Sequence, residues 1–112
     1  MRLAREEVFG PVLAVVPFDS EEDAIRIAND SKFGLAAGVW TRDSARGIRM
    51  AERIAAGTVY INNYFNATTQ SPVGGYKQSG YGRENGIEGM KAFLQIKSVW
   101  LATEPNQPNP FA

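Results

Sequence analysis

The stretch Ser71-Pro72-Val73-Gly74-Gly75-Tyr76-Lys77-Gln78-Ser79-Gly80-Tyr81-Gly82-Arg83-Glu84-Asn85-Gly86 constrains this chain more than any other. Tyr, Lys, Arg and Glu alternate there with glycines 74, 75, 80, 82 and 86, a mixture that suits neither a packed strand nor a packed helix. Glycine loses more backbone freedom on ordering than any other residue. Such density is expected where the main chain takes unusual dihedrals or where another group comes very close. From Asn62 to Asn85 the regular apolar pattern dissolves, and a loop of that length in a small domain is usually functional.

The rest of the sequence supplies a frame for that loop. Val12-Leu13-Ala14-Val15-Val16 is a continuous apolar run rich in β-branched residues, the pattern of a strand buried on both faces, and Pro17 closes it. Ser20 then reads as a helix cap, with Glu21, Glu22 and Asp23 at the positive end of the dipole and Ala24, Ile25, Ile27 and Ala28 as the buried stripe. Leu35 to Trp40 is a second short strand. Thr41 or Asp43 caps a second helix, whose Ala45, Ile48, Ala51, Ile54 and Ala55 recur at helical spacing until Gly57 ends it. Thr58 to Asn62 is a third strand. Strand, helix, strand, helix, strand with short connections predicts an α/β fold with a mainly parallel sheet and flanking helices. Asn85 and Glu88 form a capping box for a third helix through Leu94. Ile96 to Ala102 reads as a last strand, and the tail Glu104-Pro105-Asn106-Gln107-Pro108-Asn109-Pro110 as an extended surface segment.

Composition narrows the chemistry. With 112 residues, 44% of them hydrophobic, twelve basic and twelve acidic, the chain is one small domain at most, with room for a modest core. Zero net charge leaves no electrostatic footprint for nucleic acid or an anionic membrane. No apolar run approaches the roughly 18 residues of a membrane span. The opening Met1-Arg2-Leu3-Ala4-Arg5-Glu6-Glu7 lacks the apolar core of a signal peptide, so a cytoplasmic location is expected. There is no cysteine and no histidine. A Cys/His zinc site, a Ser-His-Asp triad, a thiol nucleophile and a disulfide are thereby excluded for this chain. Carboxylates, Lys and Tyr remain.

Each motif has a bland and a functional meaning. Gly80-Tyr81-Gly82-Arg83-Glu84-Asn85-Gly86 approaches the dinucleotide fingerprint G-x-G-x-x-G, but the third glycine falls one residue late and no strand precedes it. A glycine-rich turn packed against other parts of a larger protein fits better. Lys77, Arg83 and Glu84 are either solvated surface charges or groups held at a site, Glu84 opposite a cation or proton donor. Glu6 and Glu7 are either ordinary acids before a strand or, beside Phe9-Gly10-Pro11, acceptors for a sugar diol next to a ring that packs on a flat heterocycle. Tyr64 to Gln70 follows the carboxyl end of the third strand, where parallel α/β folds place ligands. It is equally readable as a surface loop anchored by two aromatics. Trp40 and Trp100 are assigned to packing.

Taken together, from Arg5 to about Ala102, the motifs resemble the C-terminal part of the NAD(P)-dependent aldehyde dehydrogenase superfamily. The carriers are Arg5-Glu6-Glu7-Val8-Phe9-Gly10-Pro11-Val12, Ala28-Asn29-Asp30 leading to Phe33-Gly34-Leu35-Ala36-Ala37-Gly38-Val39-Trp40-Thr41, Gly57-Thr58-Val59-Tyr60-Ile61-Asn62, and Ser71 through Gly86. The wording from Pro72 to Gly86 is most similar to the betaine-aldehyde branch. In that family a cysteine thiolate attacks the aldehyde, hydride passes to the nicotinamide, and a glutamate-activated water hydrolyses the thioester. The resemblance implies that Glu7 holds the nicotinamide ribose hydroxyls and that Phe9 contacts the nicotinamide side of NAD or NADP. It implies that Tyr64, Phe65, Asn66, Ala67, Thr68 and Thr69 form the substrate loop. It implies a charge-relay role for Glu84, with a lysine from an earlier part of the family's chain, and backbone contacts of Lys77 and Gly80 to a potassium ion. The last strand and tail would serve oligomerisation.

The family's nucleophilic cysteine, water-activating glutamate and dinucleotide-binding half lie upstream of the matching segment. The expectation is therefore a fragment, a truncated reading frame or a remnant. Residues 1–94 would be a partial catalytic domain and 95–112 an oligomerisation strand with an extended tail. Alone, the chain is expected to be inactive, to bind no cofactor tightly and to form a homo-oligomer. The alternative is a non-catalytic, self-assembling structural module that uses the exposed edges of its sheet.

Overall fold

Ser20 begins the first helix as its position predicts. In the computed structural model, which describes residues 2–103 and 109–111, the Ser20 Oγ accepts the Asp23 N–H at 3.1 Å, and α1 runs Glu21–Asn29 with its three acids in the first turn. Of the expected apolar stripe, Ile25 is the buried member. The chain then forms β1 (Phe33–Gly34) and β2 (Ala36–Val39). Asp43, not Thr41, caps α2 (Ser44–Arg53), accepting the Arg46 N–H at 3.2 Å. Thr41 Oγ1 accepts the Asp43 N–H instead.

α2 turns differently from its apolar spacing. Ile48 is 56% exposed, while Gly47 is buried against β3 (Thr58–Ile61). A Cβ added to Gly47 would stand 2.9 Å from the Ile61 Cγ2, so a position without a side chain sets how closely helix and strand pack. The helix also ends at Arg53, where the Ile54 N–H bonds the Met50 carbonyl, rather than at Gly57.

β2 and β3 pair in parallel, Ala36 opposite Thr58 through Val39 opposite Ile61. This β2–α2–β3 unit is the fold's parallel crossover, and the α/β class holds. The core is small: Ile25, Val39 and Ala56 are its buried apolar residues. Across the surface, α1 and α2 are joined by Glu21 to Arg49 at 3.0 Å, Glu21 to Arg46 at 3.4 Å, and Glu22 to Arg53. Exposed pairs of this kind add little stability each and mainly fix the crossing of the helices.

The glycine-rich segment is more ordered than its composition suggests. β4 (Tyr76–Lys77) pairs antiparallel with β1, Phe33 opposite Lys77, and Val73 and Glu84 form a further antiparallel bridge. Both short ladders escape sequence patterning because a two-residue strand has no periodicity to display. α3 (Gly86–Lys91) stops short of Leu94, and the expected capping box does not form. Asn85 stands at φ 60° and makes no capping bond, while the Glu88 carboxylate takes the Lys91 Nζ at 2.7 Å.

Two expected strands form no ladder among the described residues. Val12–Val16 and Ile96–Ala102 are assigned no strand and remain exposed, Leu13 at 85%, Val15 at 84% and Ile96 at 100%. A strand exists only through hydrogen bonds to a neighbour, and neither segment finds one here. The result is an elongated molecule of 70 × 30 × 29 Å with a radius of gyration of 21.6 Å. A compact domain of this length would have about 13 Å. Of the tail, 104–108 lies outside the described residues, and Asn109 and Pro110 are exposed.

Candidate functional site

The carboxyl ends of β2 and β3 are locked together by one side chain. Asn62, at φ 55°, donates from Nδ2 to the Thr41 carbonyl at 2.9 Å and accepts the Thr41 N–H on Oδ1 at 2.8 Å. On this rigid base stands an aromatic cluster. The Tyr64 ring lies 5.2 Å from Tyr60 in an edge-on arrangement and 6.3 Å from both Trp40 and Phe65. Such edge and tilted geometries are favourable for aromatic quadrupoles. Phe65 takes φ 64° and is 88% exposed.

The remainder of the segment, Asn66, Ala67, Thr68 and Thr69, is exposed. It is tethered at its far end, where the Thr68 carbonyl accepts the Ser71 N–H and the Thr69 carbonyl accepts the Gly86 N–H. Sequence reasoning assigned Trp40 to packing and passed over Tyr60. Trp40 is 65% exposed and stands with the loop aromatics. Its signal was positional: it directly follows β2, at the sheet end where ligands bind.

The glycine-rich segment is a knot of main-chain contacts. A Cβ on Gly57 would sit 1.7 Å from the Gly74 carbonyl oxygen, so the two backbones pass closer than any side chain allows. Lys77, at φ 53°, sends its ammonium to the carbonyls of Asn29 at 3.0 Å and Ser31 at 2.9 Å. These lie at the C-terminal end of α1, where a cation complements the dipole. Arg83 donates to the carbonyls of Gly75 at 2.9 Å and Gly82 at 2.8 Å, with its guanidinium over the Tyr76 ring. The Ser79 Oγ accepts the Gly34 N–H at 3.0 Å. Lys77 and Arg83 are therefore internal donors, not freely solvated charges.

Glu84 is fixed through its backbone, exchanging both bonds with Val73 at 2.7 and 2.8 Å, while its side chain is exposed. Lys77 and Gly80 close one tight turn, the Gly80 N–H pointing at the Lys77 carbonyl at 3.5 Å with Gly80 at φ 110°. Among the described residues no group of three Asp, Glu, His or Cys side chains comes together to bind a metal ion. Any cation held at this turn would use carbonyl oxygens.

Glu7 and Phe9 share a groove of about 330 Å³ on the N-terminal arm, with Val8, Gly10, Val12 and Ala14. Phe9 sits at φ 51° with its ring 94% exposed. An Arg5–Asp30 pair at 2.6 Å fastens this arm to the end of α1, the same end that Lys77 grips. Glu84 lines a different groove, about 340 Å³, with Val73, Gly80 and Arg83. Thr69 lines a third, about 620 Å³, with Ile87, Met90 and Phe93. The predicted site residues thus stand in separate open grooves on one backbone frame rather than in a single closed pocket.

The strongest electrostatic perturbations belong to the helix pair. The Arg49 hydrogen bond holds the Glu21 carboxyl below its ordinary range, Arg53 does the same for Glu22 and Arg26 for Asp23. The Arg46 N–H lowers Asp43. No helix among the described residues is long and apolar enough to cross a membrane.

The model of the aldehyde dehydrogenase family matches residues 1–99. The chain is 50% identical over 102 residues to the NADP/NAD-dependent aldehyde dehydrogenase PuuC of Escherichia coli, covering 91% of this chain and 21% of that protein. It is 48% identical over 111 residues to the betaine aldehyde dehydrogenase of Bacillus subtilis, covering 99% and 23%. A crystal structure of the betaine aldehyde dehydrogenase of Staphylococcus aureus in complex with NAD+ superimposes with a TM-score of 0.93 at 46% identity, over 100% of this chain and 22% of that one. The chain spans about a fifth of the length of the relatives it matches.

Proposed function

The chain belongs to the aldehyde dehydrogenase family, and we propose that it is the C-terminal portion of the catalytic machinery of an NAD(P)-dependent enzyme that oxidises a small aldehyde of the betaine-aldehyde kind to its acid, in the cytoplasm. In this reading residues 1–94 are part of the catalytic domain, and 95–112 serve assembly into a homo-oligomer. The observation that carries it is the aromatic loop Tyr64–Thr69, backed by Trp40 and Tyr60, at the carboxyl ends of the parallel pair. This is where an α/β fold receives its substrate.

Each residue then has a task. The exposed Glu7 carboxylate would accept hydrogen bonds from ribose hydroxyls, and the uncovered Phe9 ring would pack beside the nicotinamide. Their shared groove and free faces suit those roles. NAD or NADP, when bound, would supply the hydride acceptor. Tyr64, Phe65, Asn66, Ala67, Thr68 and Thr69 line the approach of the aldehyde, their rings suited to an apolar or cationic end group. Glu84, held by its backbone with the carboxylate free, takes up and passes on a proton with a lysine from outside these residues. The carbonyls of Lys77 and Gly80 are hard oxygen donors that suit a potassium ion. The chain has no cysteine, so the thiol that attacks the aldehyde comes from polypeptide beyond it.

The self-assembling alternative draws on one observation, the two uncovered apolar arms. A covalent chimera distinguishes the readings. When these residues replace the matching segment of the Bacillus subtilis enzyme, NAD-dependent turnover of betaine aldehyde is expected to survive within about tenfold. Glu7→Ala in that chimera raises KM for NAD more than it lowers kcat. A folded chimera that binds NAD but turns over no aldehyde would defeat the proposal.

A further inference from the structure

We infer that Asn85 is a modification site, a self-catalysed deamidation held in check by the Thr69 carbonyl, and that its conversion releases the far end of the 64–70 loop. The loop's task rests on the reading above, but the chemistry does not. Asn85 precedes Gly86, and every other asparagine of the chain is followed by a residue with a side chain. A glycine nitrogen has no Cβ of its own residue to shield it. Asn85 is exposed and its amide makes no capping bond. Asn29 and Asn62 differ, each having both ends of its amide fixed on backbone groups.

The backbone supplies a second observation. At φ 60° and ψ 172°, Asn85 occupies a region that is essentially glycine's own. Strain of this kind persists only where surrounding contacts impose it, and here they stand on either side. Glu84 exchanges both backbone bonds with Val73, at 2.7 and 2.8 Å, and the Gly86 N–H donates to the Thr69 carbonyl at 2.9 Å. A Cβ on Gly86 would stand 2.8 Å from the Gln70 carbonyl oxygen, so the main chain of the loop passes directly against the site.

The step needs only water. The Gly86 nitrogen gives up its proton and attacks the Asn85 Cγ. A new N–C bond forms as the Cγ–Nδ2 bond breaks, and ammonia leaves with the proton. Water then opens the succinimide at either carbonyl, leaving aspartate or isoaspartate. The attacking nitrogen is the one whose N–H the Thr69 carbonyl holds. Reaction therefore proceeds from molecules in which that bond is open, as amide exchange does. Isoaspartate lengthens the main chain by a methylene just before Gly86. With Glu84 still clamped to Val73, the Gly86 N–H no longer meets the Thr69 carbonyl, and the loop loses its anchor.

The test uses the 112-residue chain, kept in mildly alkaline buffer either folded or in urea and then digested with trypsin. By mass, the peptide from Glu84 to Lys91 should pass from amide to acid at least tenfold faster in urea than folded, with isoaspartate the larger product. In urea, the peptide that carries Asn62, Asn63 and Asn66 should convert at least tenfold more slowly than that one. Below the unfolding transition, conversion and exchange of the Gly86 amide should rise together. In the converted chain, folded, amides from Asn66 to Ser71 should exchange at least tenfold faster. Asn85→Gln should suppress the change, and Asn85→Gly, which also suits the backbone there, should abolish it. In the Bacillus subtilis chimera, ageing should raise KM for betaine aldehyde and leave KM for NAD unchanged. Equal rates folded and unfolded, an amide that persists in both, or unmoved loop exchange after full conversion would each overturn the inference. A chimera inactive before ageing would count against the proposed function alone, because the peptide masses and exchange are read on the chain itself.

Discussion

The Lys77 ammonium donates to the Asn29 carbonyl at 3.0 Å, closing the C-terminal end of α1 with a side chain from nearly fifty residues downstream. The Asn29 side chain in turn holds the Arg53 carbonyl and the Ala55 N–H at the end of α2. Two helix ends and the glycine-rich segment thus meet at one residue, and Arg5 brings in the N-terminal arm through Asp30 next door. The Glu7 groove lies on the arm that Arg5 fastens here, and Lys77 ties in the segment that carries Glu84.

This convergence predicts an unusual order among substitutions at Lys77. Its φ of 53° costs a non-glycine residue roughly 1–2 kcal/mol. Lys77→Met loses the two carbonyl bonds and keeps that strain, whereas Lys77→Gly loses the bonds but relieves it. Thermal unfolding should rank wild type above Lys77→Gly and Lys77→Gly above Lys77→Met. A glycine variant more stable than wild type would mean that the ammonium holds nothing.

Gly57→Ala tests the close passage of the two backbones. The added methyl would fall 1.7 Å from the Gly74 oxygen, and that obstacle is main chain, which has no rotamer to swing aside. A loss of about 3 kcal/mol is expected in urea unfolding, at the upper end for overpacking. Gly10→Ala, where nothing lies within 4 Å, is the control and should change little.

Much of the frame was legible because it obeys local rules. Ser20 as a cap, Asp43 as one of two candidate caps, and the β2–α2–β3 crossover follow from side-chain chemistry within a few residues. What misled sequence reasoning was long-range. Ile48 has the spacing of a core residue but yields to Gly47, because only glycine lets Ile61 come that close. Val12–Val16 has the composition of a buried strand but pairs with no neighbour among the described residues. β1 and β4 are too short to show a period. The charged residues of the glycine-rich segment left two meanings open, and distances decided for Lys77 and Arg83. Trp40 packs, with its ring 6.3 Å from Tyr64, and yet is 65% exposed, because a sequence does not show which faces of a sheet end stay uncovered.

Acid should weaken the pairing of α1 and α2. Arg49 lowers Glu21 and Arg53 lowers Glu22 from the ordinary glutamate value of 4.5, and Arg26 and the Arg46 N–H lower Asp23 and Asp43 from 3.8. A carboxyl with a depressed folded value binds fewer protons folded than unfolded just below its ordinary value. Its stabilisation is present in full above about pH 4.5 and drains away as pH falls through the lowered values. The melting temperature should be flat from pH 7 to 5 and decline below 4.5, and Glu21→Gln with Glu22→Gln should flatten that decline. An unchanged slope in the double variant would place the acid sensitivity elsewhere.

Alone, the chain should not oxidise aldehydes, because without a cysteine it forms no covalent thiohemiacetal. In the roles proposed for them Glu7 and Phe9 would reach only the nicotinamide end of the cofactor, and few contacts do not offset the ordering of a large flexible ligand. NAD should bind more weakly than about 1 mM, equivalent to roughly 4 kcal/mol. Calorimetry showing micromolar affinity, or measurable turnover of betaine aldehyde by the pure chain, would mean that the site is more complete than these residues indicate.

In the isolated chain the exposed arms have only each other. Leu13 and Val15 on one arm and Val99, Trp100 and Leu101 on the other are all more than 80% exposed, and an open apolar edge is a template for pairing with another chain. The contact that closes with least disruption is two-fold, since the same arm then serves both partners. Light scattering at micromolar concentration should report a dimer or larger species for the isolated chain. Leu13→Asp with Val15→Asp should shift it toward monomer, and Tyr81→Asp, at an equally exposed position off both arms, should not. A monomer with sharp, cooperative unfolding would mean that the arms fold back onto the chain in solution.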